Sequence, residues 1–113
     1  MGGRTKGCIE AIMILESKLA YADYHLIDRR NRMALHELLS TPSVKDEINK
    51  LKTFCGVSED KVNEMLRTLD DITNELKKKK EEIDFEKVGV DILSLRPWNV
   101  RDEIAENLQK GVE

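Results

Sequence analysis

Residues 62–83 read VNEMLRTLDDITNELKKKKEEI, and their periodicity decides the fold class. Val62, Met65, Leu69, Ile72, Leu76, Lys79 and Ile83 recur at spacings of three and four, with one lysine interrupting. That is the narrow apolar stripe by which one helix meets another, carried over about three heptads. The first forty residues follow the same rule through Ile12, Leu15, Leu19, Ala22 and Leu26. An all-α helical bundle is therefore expected. It is built on two long antiparallel helices with coiled-coil-like packing and two shorter helices bridging them.

Composition agrees. Of 113 residues, 36% are charged and only 4% aromatic, too few aromatic side chains for a β-sandwich core. The length suits one domain with one core. The formal net charge of −3 gives no whole-molecule positive field for nucleic acid or acidic membrane.

The punctuation places the helices within 1–113. Residues 1–6 are expected as a flexible N-terminus and 7–39 as the first helix, about 50 Å long at the rise of an α-helix. Around Pro42, Ser43 with Asp46 resembles a capping box opening a second helix, 44–55. Gly56 then stops it. Ser58 caps a third helix, 59–83, whose Glu59 and Asp60 suit the positive end of the helix dipole. Residues 84–96 read as helix or irregular chain. A last helix covers 99–110, with Asn99 as its cap and Trp98 pinning it to the bundle.

The first helix is apolar on more than one side. Ile9, Met13, Ile14, Ala20 and Ile27 lie off its seam, and one antiparallel neighbour cannot cover a helix all round. Self-association is expected, with Ile9, Met13, Tyr21 and Tyr24 as the contact residues. Outward tyrosines suit that role because they bury rigid area while keeping a hydroxyl wet. The expected function is thus non-enzymatic, a small helical protein working through protein–protein association as a homo-oligomer, adaptor or regulatory subunit.

Two other readings compete. In residues 48–66, INKLKTFCGVSEDKVNEML, Leu51, Cys55, Val57, Val62 and Met65 around Gly56 have helix-turn-helix spacing. A DNA-binding regulator of that kind would contact phosphate through Lys52 and Lys61, although Glu59, Asp60 and Glu64 stand where positive charge is wanted. Residues 29–39, RRNRMALHELL, are similar to the Arg-polar-x(3–5)-His element of the HEPN ribonuclease and toxin families. The resemblance implies catalytic roles for Arg30, Asn31 and His36, the arginine stabilising charge on a scissile phosphate and the histidine moving a proton. On a straight helix Arg30 and His36 stand about 120° apart, whereas Arg32 and His36 share a face.

No metal or cofactor site is expected. The two histidines lack metal-ligand spacing, and Cys8 and Cys55 form no CxxC pair. The longest apolar run, AIMIL at 11–15, is far short of the roughly 20 residues of a spanning helix. With no export signal, the cysteines are expected as reduced, buried thiols in a cytoplasmic protein.

Overall fold

A computed structural model describes residues 3–29 and 31–110, with side-chain surroundings left undescribed at 27–29. Among these residues the chain is helical and no strand occurs. The helices are α1 (Gly3–Arg29), α2 (Arg32–Leu39), α3 (Pro42–Cys55), α4 (Glu59–Glu75), α5 (Phe85–Ser94) and α6 (Arg101–Gln109). Short 3₁₀ turns at Lys80–Glu82 and Pro97–Val100 precede α5 and α6.

The single helix expected over 7–39 is two helices. Asn31 takes an extended conformation, and its side-chain oxygen accepts the Ala34 N–H at 3.0 Å. Asparagine offers the backbone a local alternative to continued helix, and here that alternative wins. At the other end α1 already begins at Gly3, so residues 3–6 are helical rather than a loose tail.

Pro42 sets the start of α3. It occupies the first helical turn, where its missing N–H costs nothing, and Thr41 is the capping residue. The Ser43–Asp46 box therefore does not form. Gly56 ends α3 in the left-handed conformation, φ 74°, and Ser58 caps α4 by accepting the Lys61 N–H. α4 stops at Glu75 instead of reaching 83, although Val62, Met65, Leu69, Ile72 and Leu76 all point inward as their spacing predicts. Residues 84–96 resolve into α5, capped by Asp84, whose side chain accepts the Lys87 N–H.

Helix pairing differs from expectation. The main neighbour of α1 is α3, not α4; α4 packs against α3 and α5, and α5 returns to α1. Cys8 meets Cys55 and Gly7 meets Phe54, so the start of α1 abuts the end of α3 and the two run antiparallel. A heptad stripe states that a helix has a partner. It does not say which one.

The cysteines are not free thiols. Cys8 and Cys55 form a disulfide, with Cα atoms 5.0 Å apart, and both residues are fully buried. The core continues from this bond through Leu15, Leu19, Ile48 and Leu51 to Ile72, Leu76, Val88 and Ile92. A β-carbon on Gly89 would lie 3.0 Å from Leu26, so α5 approaches α1 closely there.

α6 closes the turn between α3 and α4. The Asn107 amide donates to the carbonyls of Cys55 and Gly56 at 3.1 and 2.9 Å, and Glu103 accepts the Ser58 N–H at 2.8 Å. Two expectations about this helix fail. Asn99 does not cap it; the Asn99 amide donates to the Leu93 and Arg96 carbonyls and secures the preceding turn. Trp98 does not pin it either, being 63% exposed.

Candidate functional site: an exposed face of the first helix

α1 buries Cys8, Ala11, Leu15, Leu19 and Ala22 and turns the opposite side outward. Exposed there are Ile9, Met13, Ile14, Tyr21 and Tyr24, with Met13 66% and Tyr24 59% accessible. Ile27 lies outside the residues whose side chains are described. Isolated exposed apolar residues are commonplace, but several along one helix form a patch.

The face has a centre. Ile14 and Ala20 lie three residues either side of Ser17, Met13 and Tyr21 four, and Glu10 and Tyr24 seven. On a helix these are the positions that surround a point, so Ser17 forms a shallow spot ringed by six side chains. All seven residues are exposed. The tyrosines are arranged against one another: their rings lie parallel within 7° at a centroid distance of 6.4 Å, and His25 meets Tyr21 edge-on at 4.5 Å. Ser17, Ala20 and Glu10 were not singled out from sequence as contact residues, yet counting outward from the small residue would have found them.

A polar anchor holds this helix from behind. Arg96, in the connection between α5 and α6, donates from Nε to Glu16 at 2.9 Å and from Nη1 to Asp23 at 3.3 Å. Two carboxylates on α1 thus share one guanidinium. Burial raises the Asp23 carboxyl above its ordinary value, with Arg96 opposing that rise, while the Glu16 hydrogen bond chiefly raises Arg96. The anchor fixes the rotation of α1 and with it the direction in which Tyr21 and Tyr24 project.

The residues of the competing readings fall elsewhere. Lys52 is exposed on α3, whereas Lys61 is half-buried and lies 3.8 Å from Glu64. Glu103 sits on the N-terminal turn of α4, the end a reading helix would offer to phosphate. Of the nuclease-like set, Arg30 lies outside the described residues and Asn31 is occupied in capping α2. His36 is half-buried, and the Ser40 hydroxyl is 3.5 Å from its Nδ1 and 3.4 Å from its Nε2. Among the described residues no group of three or more His, Cys, Asp or Glu side chains is arranged to hold a metal ion, and no helix is long and apolar enough to cross a membrane.

No family model, curated protein or solved structure matches this chain.

Proposed function

We propose that this chain is a small non-enzymatic helical protein that acts through protein association, and that a second copy of itself docks on the exposed face of α1. The observation that carries the reading is the run of exposed apolar and aromatic side chains that surrounds Ser17 on the outward side of α1. In an antiparallel pair with its two-fold axis through Ser17, Met13 of one copy stands opposite Tyr21 of the other. Ile14 then faces Ala20, and Glu10 faces Tyr24, whose hydroxyl can donate to the carboxylate. Sulfur–aromatic contact and a small residue at the crossing both favour close approach.

Sedimentation of the wild type beside Ser17→Glu tests this. A residue on the axis faces its own copy, so the variant sets two carboxylates together and drives the dimer apart while leaving a solvent-exposed position unstrained in the monomer. Wild type sedimenting as a monomer at millimolar concentration, or a dimer indifferent to Ser17→Glu, would overturn the proposal.

The lack of an export signal makes the cytoplasm the expected location, with Cys8 and Cys55 as reduced thiols. A closed, buried disulfide supports an oxidising compartment instead. The DNA-binding reading receives no support from the site, because Glu59, Asp60 and Glu103 crowd the end of α4 that would face phosphate.

A further inference from the structure

The fold brings together two stretches of sequence that the α1 face leaves unused. The arginine-and-histidine stretch on α2 and the lysine run 77–80 after α4 are over forty residues apart, yet they meet at one end of the molecule. Arg32 joins them: its Nε donates to the carbonyl oxygens of Leu76 at 2.9 Å and Lys78 at 3.0 Å. Beside this contact lies a hollow of about 390 Å³ lined by Arg32, Met33, His36, Glu37, Leu76 and Lys77. That volume is within the range that small-molecule sites occupy.

The charges of the lining are unevenly spent. Lys78 is paired with Glu75 at 3.0 Å. Lys77 has no side-chain hydrogen bond or ion pair among the described residues, and the two terminal nitrogens of Arg32 likewise have none there. Arg32 is nonetheless held in place through its Nε, so its free edge is presented at little further cost in side-chain freedom. Met33, 74% exposed, and Leu76 supply an apolar wall. Among the described residues that line the hollow, Glu37 is the one carboxylate.

We infer that this hollow binds an organic phosphate, a phosphate monoester carrying a compact, partly apolar group. The phosphate oxygens are taken by the free edge of Arg32 and by the Lys77 ammonium, since a tetrahedral dianion accepts several charge-assisted hydrogen bonds at once. The organic part lies against Met33 and Leu76, and Glu37 accepts a hydrogen bond from a hydroxyl or amino group on it. Glu37 also sets a limit, because its charge opposes a ligand carrying phosphates at both ends. A nucleoside monophosphate has all three features.

The test is a nuclear magnetic resonance titration of the whole chain at low salt with adenosine monophosphate, with adenosine, and with vesicles containing phosphatidic acid. The nucleotide is expected to shift the signals of Arg32, Met33, His36 and Lys77 and to bind at least tenfold more tightly than the nucleoside. Lys77→Gln should weaken it about tenfold, the effect of one lost charge-assisted bond. The Lys77 side chain has no partner in the fold among the described residues, so this variant leaves the fold unchanged; a matching spectrum away from the hollow checks that. No shifts at millimolar nucleotide, or equal binding by Lys77→Gln, would overturn the inference. Binding to the vesicles with none to the nucleotide would also overturn it, assigning the phosphate to a membrane surface.

Discussion

At one end of the molecule α1 and α3 are joined by a covalent bond; at the other, α2 and α4 are joined by a guanidinium resting on two carbonyl oxygens. The first end is dry. Cys8 and Cys55 are buried, Gly56 turns the chain in a left-handed conformation, and Asn107 covers the turn. The φ of 74° favours glycine at position 56, and a β-carbon there would also press within 2.8 Å of the Asn107 amide nitrogen and shift the cover. The second end is polar. There Glu75 is buried, yet it accepts the Asp84 N–H and pairs with Lys78, which ties the end of α4 to the start of α5. The difference separates permanence from adjustability: an end closed by a bond and apolar contact keeps one geometry, and an end closed by charge-assisted hydrogen bonds responds to pH, salt and ligands.

The largest expected effect comes from opening the covalent end. Replacing both cysteines by serine frees a loop of 47 residues' separation and should lower stability by about 4 kcal/mol on the chain-entropy account. Urea unfolding should show this as a lower midpoint, matched by wild type under strong reductant. Equal midpoints would mean that the two ends do not differ in the way described.

Breaking the polar end should cost less and act locally. Arg32→Met keeps the stem but removes both carbonyl contacts, a loss of about 1.5–3 kcal/mol for hydrogen bonding by a charged group. Hydrogen exchange should quicken around Leu76–Lys80 and stay unchanged around Cys55. Uniform acceleration along the chain would instead show that the two ends unfold as one unit.

The smallest change sharpens the comparison through pH. The Asp84 N–H, followed by Lys78, holds the Glu75 carboxyl below its ordinary value. A carboxyl lowered in the folded state stabilises the fold above its unfolded value, and the contribution disappears as pH falls through the folded one. Wild type should therefore exceed Glu75→Gln in urea midpoint at neutral pH, and the gap should close in acid. A gap that widens in acid would reverse the assignment.

Much of this architecture was legible in the sequence. The inward stripe of α4, the Ser58 cap and the Gly56 stop were all readable, because each depends on neighbours within one turn. The outward side of α1 was legible too, since Ile9, Met13, Tyr21 and Tyr24 lie off its apolar stripe. What escaped depends on distant partners. The break at Asn31 is the exception, because it is local: the asparagine caps α2 through the Ala34 N–H, yet with no glycine or proline beside it the stretch reads as continuous helix. Cys8 and Cys55 give no sign of pairing until α1 and α3 are set antiparallel. Trp98 seemed an anchor because tryptophan usually buries area, but Pro97 and Val100 turn inward in its place. Nothing local marks Arg96, whose carboxylate partners Glu16 and Asp23 lie more than seventy residues away.

The bond between Cys8 and Cys55 also makes a closed ring of the chain, one that contains most of α1 and all of α2 and α3. Asn31, exposed between two helices, lies on that ring. A protease cutting there would open the ring without releasing either piece, and the severed first helix would remain strapped along α3. The protein can thus be nicked once at this junction and keep its outward-facing surface in place, until a reductant separates the halves.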